Sequence, residues 1–353
     1  MSELGRRLVS HLEAHGPIGF ADFQAQALYA PGLGFYASGG GAGRRRDFLT
    51  SPEVGPLFGA VVARALDGWW DDLGRPDPFP VVEAGAGPGT LARSILAAAP
   101  RCAAALALVL VEVGEAQWPT HPSGTTSRAD LPEPGSLGPG PVVVVANELL
   151  DNLPVALVAR TAEGWAEVQV GARDGRLVEV LAPFGGEQAT WCDLRAPGAP
   201  VGARIPVLAE AVDWLRQALA LAGPGGRVVA VDYARPTTGE LAALDQAAWL
   251  RTYAAHGRSG DPLAEPGTCD ITCDVPIDQL ALVAPPDRVR TQAAFLREHG
   301  IDQLVAEGRA RWEELGGIAG GLPAIAARSR SSEANALLDP DGLGGFTVLE
   351  WRP

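Results

Sequence analysis

The 353-residue sequence contains no lysine: all 28 basic residues are arginine, against 42 acids, for a formal net charge of −14. That absence excludes a Walker A phosphate loop and Schiff-base catalysis, since both need a side-chain amine. The acidic balance also argues against broad nucleic-acid binding, which relies on neutralising phosphates. Cysteines are few: Cys102, Cys192, Cys269 and Cys273, with no Cys-x-x-Cys pair. Alternation in "TCDITCDV" would put Cys269 and Cys273 on one face with Ile271, as small buried hydrophobes. The five histidines lack a His-Glu-x-x-His spacing, so no metal is expected. No apolar run has the length of a membrane span. The first residues, "MSELGRRLVSHLEAHG", read as an amphipathic helix with Leu4, Leu8 and Leu12 on one face. Glu3 and Glu13 argue against an organelle transit peptide, and no signal peptide pattern precedes the helix. The expectation is a cytoplasmic chain with neither a membrane nor a nucleic acid as partner.

Hydrophobic residues make up 47% of the chain, ample for a large core. From Phe79 onward, strands and helices alternate. "PFPVVEAG", "LALVLVEVG", "GPVVVVAN" and "GRVVAVDY" are continuously apolar, as suits parallel strands covered on both faces. Helical spacing recurs in "PLFGAVVARALDGWWDDL", "TLARSILAAA", "LAEAVDWLRQALALAG", "VRTQAAFLREHG" and a stretch to about Trp312. A last strand reads "GGFTVLEW". The alternation predicts a doubly wound α/β sheet with helices on both faces. Two stretches interrupt it. "VALVARTAEGWAEVQVGARDGRLVEVLA" has period two around turns at Glu163-Gly164 and Asp174-Gly175, the pattern of an inserted antiparallel meander. "YAPGLGFYASGGGAGRRRDFLTSPEV" is too glycine-rich for regular structure and reads as a long, functional loop. The domains expected are an N-terminal helical and loop cap over 1–75 and a core over 76–155 and 223–353, irregular at about 234–268. The meander and a helix fill 156–222.

The glycine-rich turn in "VVEAGAGPGTLARSILAAA" could hold a dinucleotide, a nucleotide phosphate or S-adenosylmethionine (SAM). In the dinucleotide fingerprint the glycines stand at the first, third and sixth positions. Here the sixth position is Thr90, and the third glycine, Gly89, comes one residue early. Glu83 would also repel a pyrophosphate. The pattern Glu-x-Gly-x-Gly-x-Gly suits SAM instead, whose ammonium and sulfonium Glu83 can attract while Gly85 and Gly87 let the backbone approach closely. Glu112 closes the next strand, where an acid can accept both ribose hydroxyls, as it also does in nicotinamide enzymes. Asn147 and Glu148 follow "VVVV", at a strand end where open α/β sheets bind ligands. With Asp151 and Asn152 behind them, they could face the methyl group and its acceptor.

Together, "RDFLTSPEVGPLFG", "VVEAGAGPGTLA", "LVLVEVGEAQ", "VVANELLDNLPV" and "GTCDITCDV", in this order, resemble the MidA-like family. "APGLGFY" near the start and "LLDPDGLGGFTVLEW" at the end fit it too, so the resemblance spans nearly the whole chain. These are SAM-dependent methyltransferases that include the mitochondrial complex I assembly enzyme, which methylates protein arginine. The chain departs from the family at Ala86 and Pro88 in the turn, at Arg46 before Asp47-Phe48, and at Ala234. The resemblance implies a Rossmann-like class I methyltransferase fold, SAM as cofactor, and a protein substrate such as a respiratory complex subunit. It implies cofactor contacts from Glu83, Gly85, Gly87, Gly89, Thr90, Glu112, Val113 and Asn147. Asp47, Phe48, Thr50, Ser51 and Pro52 would line the acceptor side; His256, in "TYAAHG", could receive a proton, although a lone histidine in a loop is more often structural.

A guanidinium stays protonated and is a poor nucleophile, so an arginine-modifying site needs carboxylates to hold it. Glu148 is the first candidate, with Asp151 and Glu53 behind it. Three rival functions fit parts of the sequence: a dehydrogenase with a degenerate fingerprint, a silent SAM-binding assembly factor, and a small-molecule methyltransferase.

Overall fold

The computed structural model describes residues 1–37, 50–254, 257–258, 260–317 and 321–353. The chain divides into two compact units: Met1–Phe48 with Leu149–Gln217 and Asp232–Pro285, and Leu49–Glu148 with Ala218–Val231 and Pro286–Pro353.

The second unit holds a seven-stranded sheet. From one edge its strands run Arg288–Thr291, Thr347–Trp351, Arg227–Asp232, Val143–Asn147, Phe79–Ala84, Leu106–Val111 and Thr126–Arg128. The five strands from Phe79–Ala84 through Arg227–Asp232 in sequence pair in parallel. Val81, Val82, Val143, Val144, Val228 and Val229 are all buried, as their unbroken apolar runs require. The order reverses between Phe79–Ala84 and Val143–Asn147, the switch point where such sheets bind ligands beyond their strand ends.

The strand Arg288–Thr291 was not expected: the sequence predicts helix through "VRTQAAFLREHG", whereas the helix starts at Gln292. Its burial is slight and its arginines are charged, so it carries no apolar signal. It lies antiparallel to Thr347–Trp351, where Arg290 and Arg227 both bond the buried Glu350.

The helix Pro56–Asp72 belongs to this unit and not to an N-terminal cap ending near residue 75. Its apolar side, Leu57, Val61, Ala65 and Leu66, is fully buried, and it packs against Thr90–Ala97. Gly59 permits that close approach. A Cβ there would collide with Ser94 Cβ and stand 3.0 Å from its carbonyl carbon.

In the first unit the meander is as expected, with strands Ala156–Thr161, Gly164–Arg173 and Arg176–Pro183. Arg204–Val207 and the short strand Ile18–Gly19 extend the same sheet. Helices Glu3–His15 and Phe20–Tyr29 lie against it, burying Leu4, Leu8, Leu12, Phe20 and Phe23. The N-terminal residues therefore share a core with the meander. Their amphipathic pattern shows that a face is buried but not against what. "RTYAAHG", expected to be irregular, opens with a strand, Leu250–Ala254, paired antiparallel with Asp270–Cys273. All four cysteines are buried.

Replacing Gly59 with valine is expected to lower unfolding stability by about 1–3 kcal/mol, the usual cost of overpacking. Urea denaturation of the variant measures it; unchanged stability would show that the two helices do not depend on this contact.

Candidate active site

The glycine turn is built as the sequence suggests. Gly85, Gly87 and Gly89 have φ of 71°, 52° and 75°, a left-handed region in which glycine is at ease and other residues are strained. Gly85 N and Ala86 N both donate to Val111 O at 3.0 Å, and Gly89 N closes a turn on Ala86 O. A Cβ on Gly87 would meet nothing within 4 Å, whereas one on Gly89 would press on His121 and Pro122. Gly89 is thus required for packing, and Gly87 leaves open space beside the backbone.

Three polar side chains gather at the carboxyl ends of adjacent strands. In the register, Glu83 pairs with Leu110 on one side and with Val145 on the other. Period-two alternation then puts Glu112 and Asn147, each two residues further on, on the same face as Glu83. Glu83 is buried, and its Oε2 has no hydrogen-bond partner among the described residues. Asn147 Oδ1 is likewise a buried acceptor without a donor among them. Desolvation pushes the Glu83 carboxyl up to about 8, against the lowering effects of the Ala92 amide and Arg93. Glu112 receives Gly87 N at 2.8 Å on Oε2 and Gly114 N at 2.7 Å on Oε1. Its pKa is raised by burial in spite of those two amides.

Two orphaned acceptors at adjacent strand ends select a ligand that brings donors and positive charge, because an unpaired buried polar group is costly. SAM fits this requirement and a pyrophosphate does not. Its amino acid end can supply donors to Glu83 and Asn147, and Glu112 can reach ribose hydroxyls while steadying Gly87.

In "TSPE", which is expected to line the acceptor side, Ser51–Val54 forms a short helical turn within what the sequence reads as one long loop. Ser51 N donates to Glu148 Oε1 at 3.3 Å, and Asn147 Nδ2 donates to the same oxygen at 3.0 Å. Glu148 has φ of 53°, a left-handed conformation that a non-glycine residue adopts at a cost and that clusters at functional sites. Ser51 Oγ donates to the buried Gln292 at 2.8 Å. Glu53 receives the Thr90 hydroxyl at 2.6 Å, and Arg93 donates to the same hydroxyl. Thr90, expected to contact the cofactor, ties the turn to "TSPE". Thr50 and Pro52 are buried beside Ser51, while Val113 is largely exposed.

Asp151 belongs to the other unit. It is buried in a short turn, Leu150–Asn152, whose amides donate to the Asp232 carboxylate. Burial raises Asp232 to about 7 despite the Leu150, Tyr233, Asp151 and Leu149 amides. Nearby in that unit, Tyr36 Oη bonds Asp270 and Asn152, and Asn152 Nδ2 donates to Asp270. Asp47, Phe48 and His256 lie outside the described residues.

Sequence reasoning missed several supports. His121 bonds Gly87 O through Nε2 and Ser127 Oγ through Nδ1. Trp118 Nε1 donates to Glu112 O, and Gln292 anchors Ser51. All act through the backbone or through another side chain, and spacing carries no trace of such a partnership.

The Glu83 carboxyl implies a pH dependence. Its folded-state value lies above its ordinary 4.5, so folding loses stability as pH rises from about 4.5 to about 8. A cationic ligand reverses that preference and expels the proton. SAM affinity should therefore climb between about pH 6 and 7.5, with nearly one proton released per molecule bound. Calorimetry in buffers of differing ionisation enthalpy measures both quantities. Glu83→Gln should flatten the climb; a flat profile in the unaltered chain would contradict the assignment.

Known proteins are similar to this chain over most of its length. The crystal structure of a Burkholderia thailandensis protein bound to S-adenosyl-homocysteine superposes with a TM-score of 0.80 at 30% identity, covering 99% of this chain and 92% of that one. A Drosophila melanogaster protein named as a mitochondrial protein arginine methyltransferase NDUFAF7 homolog is 28% identical over 386 residues, 97% of this chain and 82% of its own. The Homo sapiens protein arginine methyltransferase NDUFAF7, mitochondrial, is 27% identical over 342 residues, 84% of this chain and 73% of its own. A family model of S-adenosyl-L-methionine-dependent methyltransferases matches residues 61–293, and the chain belongs to that family.

Proposed function

We propose that this methyltransferase transfers its methyl group to an arginine nitrogen of a protein. The observation that carries the reading is Glu148, a carboxylate in a left-handed backbone conformation at the switch-point strand end, gripped by Ser51 N and Asn147 Nδ2. Such a group is held in orientation before any acceptor arrives. The arginine methyltransferases among the relatives support the same acceptor.

Bound SAM supplies an electrophilic methyl on a positively charged sulfur. This chain's residues have the remaining tasks. A guanidinium is planar and delocalised, and a carboxylate takes two of its nitrogens bidentately, leaving the third to be aimed. Glu148 has that role. Its position next to Asn147, on the strand adjoining the glycine turn, brings acceptor and cofactor sites to neighbouring strand ends, and fixed placement of this kind supplies much of a transfer rate. Alkylation makes the acceptor nitrogen shed a proton, for which Glu148 is the neighbouring base. Glu53, bonded to Thr90, fastens "TSPE" to the helix that follows the turn.

Glu148→Gln keeps the shape and the acceptor oxygen but removes the charge. It should lower arginine methylation by about a hundredfold or more, the scale on which a charged site group acts. SAM affinity should stay within about threefold, since the change leaves Glu83 and Glu112 intact. Mass spectrometry of arginine peptides after incubation with deuterated SAM, together with calorimetry, reads both. Full methylation in the variant would refute the clamp, and label on a residue other than arginine would refute the acceptor.

A further inference from the structure

A cavity of about 530 Å³ lies in the meander unit, between its sheet and the helix Gly186–Arg195. None of its lining residues belongs to the methyl-transfer site described above. Its lining is largely apolar, with Val158, Phe184, Trp191 and Cys192; behind Val158 and Cys192, Trp165 and Ile205 complete a buried cluster. One row of side chains set by the strand register passes from that cluster into the cavity, which Val158, Glu167 and Ala182 line. Ile205 pairs with Val158, Val158 with Glu167, and Glu167 with Ala182. Three of the four are hydrophobic. The fourth is a half-buried carboxylate set into the apolar face of a sheet, where charge is normally avoided.

Glu167 and Glu187 both line the cavity, and no basic residue does so among the described residues. Gln169 donates to Glu167 Oε2 at 2.8 Å, the polar contact shown for that carboxylate. Arg160, on the same face of its strand, is engaged elsewhere. It bonds Asp193 at 3.2 Å and lies 5.2 Å over the Trp165 ring. The complement of an apolar floor, two aromatic walls and two carboxylates is a cation on a hydrocarbon stem. A neutral hydrophobe would bury Glu167 further without a counter-charge, and an anion would be repelled. A cation gains both charge pairing and contact with an aromatic face. The volume falls in the range of small-ligand and side-chain pockets.

We propose that this cavity is a second binding site, which takes an apolar segment bearing arginine or lysine from the protein that is methylated. The inference rests on the protein-acceptor reading and deepens it: recognition would extend beyond the arginine being modified. Its test does not depend on turnover. In the full chain labelled with 5-fluorotryptophan, the ¹⁹F resonance of Trp191 is assigned by its loss in Trp191→Phe. The probe is n-hexylguanidinium, with 1-hexanol and hexanoate as controls.

The guanidinium should shift the Trp191 resonance saturably, and hexanoate should not. Its Kd should rise about tenfold when Glu167→Gln and Glu187→Gln are combined, the effect of losing charge-assisted contacts. Glu148→Gln should leave the titration unchanged, which separates this cavity from the acceptor site. An unmoved Trp191 resonance, equal Kd for hexylguanidinium and hexanol, or an unchanged Kd in the double variant would each overturn the proposal. Unmethylated arginine in the mass-spectrometric assay, with the Trp191 titration intact, would overturn the acceptor reading and leave the cation site standing.

Discussion

A buried carboxylate with one oxygen left unpaired among the described residues is the constraint on which the rest depends. Glu83 ends its strand inside the fold, pushed towards the neutral form by desolvation, with Oε2 unsatisfied among the described residues. Natural folds seldom keep such a group, since substituting an apolar residue would relieve its cost. It makes sense if the missing partner is a ligand that brings positive charge. Around it the chain supplies what a sulfonium nucleoside requires: a left-handed glycine turn for close approach, an acid on the neighbouring strand held by two turn amides, and an amide side chain on the other neighbour. The switch in strand order sets these groups at adjoining strand ends.

The acceptor side is organised by the same economy of backbone contacts. "TSPE" is fastened at both of its ends to the sheet unit: Ser51 to Glu148 and Gln292, Glu53 to Thr90. Glu148 keeps a left-handed backbone conformation that costs free energy, and the bonds from Ser51 and Asn147 hold it there. Rigid placement of one carboxylate is what the proposed acceptor, a poorly nucleophilic guanidinium, needs most.

Much of this was legible in the sequence, and for identifiable reasons. The parallel strands announce themselves because burial on both faces demands unbroken apolar runs, and the meander does so because one-sided burial demands alternation. Glu83, Glu112 and Glu148 stand out because an acid at the end of an apolar strand needs an explanation. Other features leave no local trace. The strand Arg288–Thr291 is an exposed edge whose arginines serve a distant glutamate, so it reads as the start of a helix. The partnership of the N-terminal helices with the meander is a long-range choice between equally apolar surfaces. His121 and Gln292 act by holding other groups in place, and their contacts span 34 and 241 residues. The resemblance to known methyltransferases reaches further than pattern here, because it draws on the whole ordered set of motifs.

The most direct test of the central claim is a crystal structure of this chain with S-adenosyl-homocysteine bound. The account predicts that the ligand's amino group lies within hydrogen-bond distance of Glu83 Oε2 and that both ribose hydroxyls lie on Glu112. A nucleoside seated elsewhere, with Glu83 still lacking a partner, would contradict it.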